Sequence, residues 1–562
     1  MIKNYFEKTV KEALFAAIEA GKLNIDKNIE ASFQCETPKN TDFGDFAINV
    51  SSLSRYAKMA PVQIANILKE FIAPVDFEVN VINGFINFKL GEKFLVKIIN
   101  EVLDKKSDYG RCNLGQGKKV NIEYVSANPT GPFHIGHGRW AAIGSALAEI
   151  LKYTGYEVFQ EFYVNDAGGQ IKRLAKSLEL RVKELKGEEA VWDDDLYRGD
   201  YLIPCAEAYL KDNKGLDYAD FAKLYMEDLQ KDLLKKFRTD FDLFFSELTL
   251  YKNGEVDAAV NKLKEANKLY EKDGAIWFKS TDYTDDQDRV LKKSDGTNTY
   301  LTADIAYHKN KLDRGFDLLI NIWGADHHGY IARMKAAIDA LGYDSNKLEI
   351  LLGQLVNIIE NGEAVRMGKR KKMVTLGDLV DEVGVDATRY WMLMRSIDTT
   401  LDFDVELAKT KSDQNPVFYA QYAHARCCSI LRRATEDKKD TETGEISPAY
   451  MTQAEMNDIF NSPVISKLYN DDKDADSATK RLILKIEEFK SIICAASRLR
   501  APYILCKYAQ ELAVDLHHFY NFARVLTEDK DLSKTRLMIV YAVKIVIAQV
   551  FALLRVNAPE KM

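Results

Sequence analysis

Two histidines on either side of a glycine stand where a loop opens into a helix. The motif reads His134-Ile135-Gly136-His137 and follows a strand-like run of β-branched and aromatic residues and a cluster of Pro and Gly. Free amide groups and the positive end of the helix dipole favour a phosphate at such a position, and imidazole N–H groups can add donors. Gly136 has no side chain, so a planar ring could lie flat against the backbone there. The pattern predicts a nucleoside triphosphate site at the first βα turn of a nucleotide-binding sheet.

An alternative is that these histidines are incidental polar residues at the start of a helix. Against it, five of the eight histidines fall in two α/β segments, and four of the five follow predicted strands. The five are His134, His137, His308, His327 and His328. A metal site is a competing interpretation of His327 and His328, but neighbouring side chains on a turn point in different directions and no third ligand is evident. We therefore expect no protein-bound metal.

A basic run over residues 366–372 is the second candidate site. It contains Arg366, Met367, Gly368 and Lys369. Runs of charge usually form solvated surfaces, and this alternative stays open. The run, however, comes just after the last predicted strand of the sheet, where a loop could close over a triphosphate. A lysine there would stabilise the charge that develops on departing pyrophosphate.

The elements that must position these residues alternate between strands and helices. One α/β segment runs from residue 120 to about 180, a second from about 295 to 360, and a charged, mostly helical stretch at about 180–270 separates them. In the second segment we predict strands at 299–303, 316–323 and 348–359. The pattern indicates one parallel sheet with a connective insertion and with ligands over the carboxyl ends of its strands. Both candidate loops would then share one crevice.

Two further domains flank this core. Residues 1–112 mix amphipathic helices with short strands, which predicts a small α+β domain, and residues 413–562 predict an all-α bundle. The α/β core is expected over residues 118–412. We predict that Ser533 caps the last helix. Its apolar run should be a buried bundle helix rather than a membrane span, because Lys544 and Gln549 interrupt it.

Composition restricts the class of protein. A chain of 562 residues with 46% apolar and 29% charged residues is typical of a soluble protein of several domains. The net charge of -7 argues against a general nucleic-acid coat, so any RNA site must be a local basic patch. Seven cysteines without a C-x-x-C pair suit a reducing compartment, and the N-terminus lacks a signal sequence. We expect a cytoplasmic protein without a membrane partner.

The motifs, taken in order, resemble those of one enzyme family. The histidine motif matches the HIGH signature of class I aminoacyl-tRNA synthetases, and Arg366-Met367-Gly368-Lys369-Arg370 resembles their KMSKS-type signature. Within that class the chain resembles the arginyl-tRNA synthetases of bacteria. The likeness spans most of the chain from residue 126 onward, in the segments 126–132, 163–168, 323–330, 415–419, 421–426 and 558–562.

The resemblance implies a Rossmann-like catalytic core, an N-terminal domain that touches the tRNA elbow and a helical anticodon-binding domain. It implies that L-arginine reacts with ATP, accompanied by Mg²⁺, to give arginyl-adenylate and pyrophosphate. Arginyl would then pass to the 3′ end of tRNA(Arg) with release of AMP. It also favours a monomer. Enzymes of this family are known for needing bound tRNA before they activate the amino acid.

The resemblance assigns site residues by motif. It implies His134, His137 and Lys369 as catalytic residues; His134, Gly136, His137, Met367 and Lys369 as ATP ligands; and Glu123, Asn128, His137, Tyr300, Asp304 and His327 as the arginine pocket. Glu123 and Asn128 would lie beside the α-amino group, and Asp304 with Tyr300 would take the guanidinium. From the residues alone, Asp304 suits a helix N-cap equally well.

Two features leave alternatives open. The second signature has Arg366 and Gly368 where the family pattern has Lys and Ser, so only Lys369 carries over as the catalytic cation. A non-catalytic RNA-binding paralogue would keep the same fold, and another class I ligase or a nucleotidylyltransferase would keep the same first signature. The presence of His134, His137 and Lys369 together, with a complete C-terminal bundle, favours an active ligase.

Overall fold

The structure is a computed structural model that describes residues 2–38, 40–283, 285–360, 362–365, 375–439 and 446–562. The basic loop predicted at 366–372, with Met367 and Lys369, lies outside the described residues.

The N-terminal region is a small antiparallel sheet packed against amphipathic helices. Its elements are α1 (Ile2–Glu19), β1 (Cys35–Glu36), β2 (Phe46–Asn49), α2 (Ser54–Ala57), α3 (Pro61–Glu70), β3 (Phe77–Ile82), β4 (Phe85–Leu90) and α4 (Glu92–Lys105). The strand order is β1-β2-β4-β3. Phe6 of α1 stacks on Phe88 of β4 with ring centroids 4.1 Å apart, which joins the buried face of the helix to the sheet. The small α+β N-terminal domain is thus confirmed.

The central region is built around a five-stranded sheet. Its elements are β5 (Lys119–Glu123), α5 (Ile135–Tyr153), β6 (Glu157–Val164), α6 (Gly169–Leu185), α7 (Leu202–Lys211), α8 (Tyr218–Lys236), β7 (Leu243–Ser246), α9 (Glu247–Lys252), α10 (Glu255–Glu265), β8 (Leu269–Lys272), β9 (Ala275–Phe278), β10 (Arg289–Lys292), α11 (Tyr300–Asp313), β11 (Leu318–Gly324), α12 (Tyr330–Ala340), β12 (Leu348–Gly353), β13 (Val356–Glu360), β14 (Glu363–Val365), α13 (Leu376–Val383), α14 (Val385–Leu393), β15 (Leu401–Asp404) and α15 (Val405–Lys409).

The main sheet is parallel, with the order β12-β11-β5-β6-β7. The chain moves outward from β5 through β6 to β7, then continues on the other side of β5 with β11 and β12. The strand order therefore reverses between β5 and β11, and a ligand crevice is expected over the carboxyl ends of the strands at such a point. This confirms the predicted parallel-sheet core.

Helix α5 crosses the end of β5 at very short range. A Cβ atom on Gly144 would lie 2.2 Å from the ring of Tyr124, the residue that follows β5. Only glycine fits there, because a side chain would have to displace the buried ring. The close crossing packs the middle of α5 against the carboxyl end of β5.

The range 180–270, predicted to be mostly helical, contains a strand of the main sheet. Strand β7 pairs with β6 in parallel, from Glu161 opposite Leu243 to Val164 opposite Ser246. A four-residue strand is too short to show a period of two against the surrounding helices. The antiparallel sheet of β10, β9 and β8 follows it and was not predicted. The inserted helices that precede β7 are α6, α7 and α8.

Two predicted strands of the second α/β segment are wrong in detail. Residues 299–303 are not a strand, because helix α11 begins at Tyr300 with Thr299 as its N-cap, and the buried Leu301 and Ile305 recur at helical spacing. The segment 348–359 is two strands. The chain leaves the main sheet after Gly353, and β13 belongs to a second sheet in the order β14-β13-β15.

The C-terminal region is helical, as predicted, apart from one two-residue ladder. Its elements are α16 (Pro416–Thr435), β16 (Lys438–Lys439), β17 (Ile446–Ser447), α17 (Gln453–Asn461), α18 (Lys473–Arg498), α19 (Tyr503–Phe522) and α20 (Lys530–Leu554). Ser533 is not the cap of α20, because the helix begins a turn earlier and the side chain of Asp529 accepts the hydrogen bonds of its first amides. Within the described residues, α20 is the one helix long and apolar enough to span a membrane, and 67% of its most apolar window is buried, as in the core helix of a bundle.

Candidate active site

The two histidines of the first motif stack against each other at the start of α5. Their ring centroids are 3.7 Å apart and their planes differ by 27°. His134 is the N-cap residue, and its Nδ1 accepts a hydrogen bond of 3.0 Å from the backbone N–H of Gly136. A Cβ on Gly136 would lie 2.9 Å from Cε1 of His134, so glycine gives this ring its room. The structure thus brings His134, Gly136 and His137 together at one helix N-terminus.

Burial favours the neutral form of both imidazoles. It lowers the pKa of His134, and burial together with the charge of His134 lowers the pKa of His137 to about 3. Nδ1 of His137 is shielded from solvent and has no hydrogen-bond partner in the part of the chain that the structure describes. A neutral imidazole has one N–H donor and one acceptor. Each ring can therefore offer one hydrogen bond to an oxygen of a bound nucleotide.

A cavity of about 340 Å³ lies beside these rings, over the loop that follows β5. Asn128, His134 and His137 line it on the core side, and Tyr201 and Gln230 line it from the inserted helices. The hydroxyl of Tyr201 donates to the carbonyl of Thr130 at 2.9 Å. Nε2 of Gln230 donates to the carbonyls of Asn128 and Gly131 at 3.0 and 2.8 Å. Tyr201 and Gln230, which the sequence analysis missed, hold this loop in place.

The chain that follows the second signature is fastened to the first motif. Thr375 forms an antiparallel bridge with His134, and the backbone N–H of Leu376 donates to the carbonyl of Phe133 at 2.8 Å. Thr375 also caps α13 in a reciprocal pair of bonds with Asp378. The segment that begins at Thr375 is therefore joined to the first motif, while a contact of Lys369 with ATP stays a prediction.

Glu123, at the carboxyl end of β5, forms a buried ion pair. Its Oε2 contacts Nζ of Lys311, and its Oε1 accepts a hydrogen bond of 2.9 Å from Ser126 Oγ. Nζ of Lys311 also donates to Oδ1 of Asn321 at 3.2 Å. Both oxygens of Glu123 thus have partners already, and the contact of Glu123 with an α-amino group stays a prediction. Asn128, across the loop, contacts Oε1 of Gln170.

Asp304 lies inside α11 and is not its N-cap. Its Oδ2 accepts a hydrogen bond of 2.5 Å from the hydroxyl of Tyr330. Burial raises the pKa of Asp304 to about 6. The hydrogen bond from Tyr330 lowers this pKa, and the negative charge of Glu123 raises it. A carboxyl group that is costly to ionise alone is well suited to a cationic ligand.

Glu247 is a second carboxyl of this kind, and the sequence analysis missed it. It is the first residue of α9, directly after β7, and its side chain is buried. Burial, with the charges of Asp304 and Asp166, raises the pKa of Glu247 to about 7. Asp166 has a cation of its own, because Nζ of Lys223 lies 2.6 Å from its Oδ2. The signal that could have found Glu247 is an acidic residue directly after a Phe-rich strand.

The side chains of Tyr300 and His327 are more exposed to solvent than that of Asp304. Tyr300 is 70% exposed at the first position of α11. His327 follows β11 in the chain, and its ring centroid lies 6.3 Å from that of Tyr330. Tyr330 is the residue that donates a hydrogen bond to Asp304. Burial raises the pKa of Tyr251, and the negative charges of Glu247 and Asp304, together with Tyr300, act in the same direction. The structure therefore gathers Tyr300, Asp304, Glu247 and His327 around the start of α11.

No group of three or more His, Cys, Asp or Glu side chains that could hold a metal ion occurs among residues 2–38, 40–283, 285–360, 362–365, 375–439 and 446–562. His327 instead lies 3.5 Å from Oδ2 of its neighbour Asp326.

Three protein-family models match consecutive parts of the chain. The arginyl tRNA synthetase N terminal domain matches residues 2–90. The catalytic domain of class I (R) tRNA synthetases matches residues 98–396, and the DALR anticodon binding domain matches residues 420–562.

Named relatives are similar over the same length. The Arginine--tRNA ligase of Bacillus subtilis (strain 168) is 43% identical over 583 residues, which cover 100% of both chains. Arginine--tRNA ligase 1 of Halalkalibacterium halodurans is 44% identical over 578 residues, 99% of each chain. The solved structure of Thermus thermophilus arginyl-tRNA synthetase has the same fold, with a TM-score of 0.72 and 21% identity over 100% of both chains.

Proposed function

Because this chain belongs to the arginyl-tRNA synthetase family, we propose that its two motif-bearing loops divide ATP and arginine between them. The enzyme is an ATP-dependent class I ligase that charges tRNA with arginine. The observation that carries the proposed arrangement is the reversal of strand order at β5 and β11. With this strand order, the stacked histidines of α5 and the carboxyl groups around α11 are at the same edge of the sheet.

ATP is assigned to the α5 side. His134 and His137 donate to its phosphates, and Gly136 leaves room for the nucleotide against the backbone. Met367 and Lys369 contribute from the second signature, with Lys369 as the catalytic cation. The neutral form of both histidines supports this assignment, because each ring then keeps one N–H for a phosphate oxygen. Mg²⁺ enters with ATP and is held mainly by the phosphate oxygens.

Arginine is assigned to the α11 side. Asp304 and Glu247 face the guanidinium, Tyr300 and His327 line the pocket, and Tyr330 orients Asp304. Glu123 and Asn128 lie towards the α-amino group, with Lys311 balancing the charge of Glu123. The raised pKa values of Asp304 and Glu247 support this assignment, because a guanidinium between them would restore both to their ionised forms.

The chemistry needs no nucleophile from the protein. An arginine carboxylate oxygen attacks the α-phosphorus of ATP in line, the bond to the bridging oxygen breaks, and pyrophosphate leaves. A ribose hydroxyl at the tRNA 3′ end then attacks the arginyl carbonyl, the bond between the carbonyl carbon and the phosphate oxygen breaks, and AMP leaves with the hydroxyl proton. The residues act by orientation and by stabilising charge on the phosphates, chiefly His134, His137 and Lys369.

The remaining regions are assigned to tRNA(Arg). We assign contact with the tRNA elbow to residues 1–112, catalysis to residues 118–412 and anticodon binding to residues 413–562. The DALR match at 420–562 supports the last assignment. We expect a cytoplasmic monomer that has no membrane partner.

The arginine pocket is tested by steady-state tRNA charging with Asp304→Asn. Loss of the counter-charge costs roughly 2 kcal/mol or more, so the KM for arginine should rise at least about 30-fold while the KM for ATP changes little. Asp313→Asn is the matched control, because this carboxylate lies on the same helix, is 46% exposed and pairs with Lys309. An unchanged arginine KM in Asp304→Asn would remove Asp304 from the pocket.

A further inference from the structure

Arg139 is a buried arginine two residues beyond the first motif. Its side chain has no exposure to solvent, and the four acceptors of its guanidinium are all backbone carbonyls. Nη1 donates to the carbonyls of Gln354 and Leu355 at 2.9 and 3.4 Å. Nη2 donates to the carbonyls of Ser396 and Thr399, both at 2.7 Å. The planar fork of the guanidinium therefore fixes two separate segments against the first turns of α5.

Both segments lead to the strands beside the second signature. Gln354 and Leu355 connect β12 to β13, and the hairpin of β13 and β14 ends at residue 365, next to the signature at 366–372. Ser396 and Thr399 precede β15, which pairs with β13 in parallel. Between the two segments, the N–H of Gln354 donates to the carbonyl of Ile397 at 3.0 Å. One side chain thus connects the helix of the first signature to the base of the strands that lead to the second.

The position of Arg139 differs from that of a simple core residue. Thr375, at the far side of the second signature, is already bridged to His134. Arg139 supplies the corresponding connection on the near side, at the base of β13.

We propose that Arg139 is a positioning residue for adenylate formation, which holds the β13 and β15 strands at a set distance from the histidines of α5. It contacts no substrate. Its effect on the reaction passes through the distance between the histidines of α5 and the β13–β14 hairpin, which ends at residue 365, and a misplacement of about 1 Å is enough to cost about 100-fold in rate. The proposal rests on the proposed function, because it assumes that ATP binds at α5.

Arg389 is a matched control. It has no exposure to solvent either, and it donates to the carbonyl of Phe237 at 2.7 Å, to the carbonyl of Leu554 at 3.2 Å and to Ser145 Oγ at 2.8 Å. These bonds connect α14 to the end of α8, to α5 and to the end of the last helix, and they involve neither signature. Removing Arg389 should therefore disturb packing to a similar degree without changing ATP placement.

The test compares Arg139→Met, Arg139→Lys and Arg389→Met with the parent enzyme in tRNA charging, each corrected for the folded fraction, with ATP and arginine titrated separately. We expect Arg139→Met to raise the KM for ATP about 10-fold and to lower kcat by about 100-fold, with the arginine KM within twofold of the parent. Arg139→Lys, which retains the charge and one donor group, should recover part of both losses. Arg389→Met should lower Tm and leave the ATP KM unchanged.

The proposal is overturned if Arg139→Met lowers Tm as Arg389→Met does while its kcat and ATP KM equal those of the parent. If Arg139→Met gives no folded protein, Arg139→Lys carries the test, since a parent-like ATP KM and kcat in that variant also overturn it. The parent enzyme separates the two hypotheses. A parent that does not charge tRNA with arginine contradicts the proposed function, whereas an active parent with a parent-like Arg139 variant contradicts only the role of Arg139.

Discussion

The carboxyl groups beside α11 predict that arginine binding weakens steeply as the pH falls. The pKa is about 6 for Asp304 and about 7 for Glu247, whereas unperturbed carboxyl groups have pKa values near 4. Below these raised values the free enzyme carries neutral carboxyl groups. The arginine guanidinium stays charged throughout, so its binding has to displace the protons. The apparent KM for arginine should therefore rise towards acid pH and level off above about pH 8.

The size of the effect reports how many carboxyl groups must ionise. If Asp304 alone has to lose its proton, the KM at pH 6 should be about 2-fold higher than at pH 8, because half of the free enzyme is then competent. If Glu247 must ionise as well, its protonation alone raises the KM at pH 6 by a factor of about 11, and the two groups together raise it about 20-fold relative to pH 8. The two cases differ by a factor of ten at a single pH.

The assay is the KM for arginine in tRNA charging between pH 5.5 and 8.5, with the ATP concentration saturating. If both groups must ionise, Glu247→Gln should reduce the rise at pH 6 from about 20-fold to about 2-fold. In either case, Asp304→Asn should remove the contribution of Asp304. The parent and both variants are compared at each pH, so any effect of pH on tRNA is common to all three. A parent KM that changes by less than twofold down to pH 5.5 would refute the reasoning, as would an unaltered profile in both variants.

Three further predictions concern Asp304, the two signatures and the packing of α5. The pKa of Asp304 is raised in the folded state, so the stability that its protonated form contributes is present below about pH 4 and is lost as the pH rises through 6. Asp304→Asn should therefore raise the free energy of unfolding of the unliganded protein at pH 8 by roughly 1 to 3 kcal/mol, measured by urea unfolding. His137→Ala and Lys369→Ala should each lower turnover on the order of 10² to 10³, and a parent-like rate for Lys369→Ala in tRNA charging would exclude that residue from catalysis. Gly144→Ala should destabilise the fold by roughly 1 to 3 kcal/mol, because its Cβ would meet the Tyr124 ring at 2.2 Å, whereas Gly377→Ala, with its nearest contact at 3.6 Å, should be near neutral in a thermal melt.

Local patterns were sufficient for the elements around the first motif. The strand-like run before the first motif is β5, and the helix expected at the motif is α5, because a buried strand, a Pro/Gly loop and an apolar helix each have a strong local signal. The same holds for the helical C-terminal region. The misplaced Ser533 cap shows the limit of such signals, since Asp529 is an equally suitable cap residue one turn earlier.

Contacts between distant parts of the chain could not be read from local patterns. Glu247 reaches the arginine region only because β7 pairs beside β6, and this pairing depends on the whole sheet. Asp304 could be a cap or a pocket residue until the start of α11 was known, because both roles suit an aspartate near a helix start. Arg139 belongs to a residue type that is rarely buried, so its contacts with Gln354 and Ser396 had no signal in the sequence.

The measurement that tests the central claim most directly is the charging of total tRNA by the purified enzyme with ATP and each amino acid in turn. Acid-precipitable label should accumulate with arginine and with no other amino acid, and Asp304→Asn should reduce it at limiting arginine. Charging by a different amino acid, or no charging with arginine by the folded parent enzyme, would contradict the account.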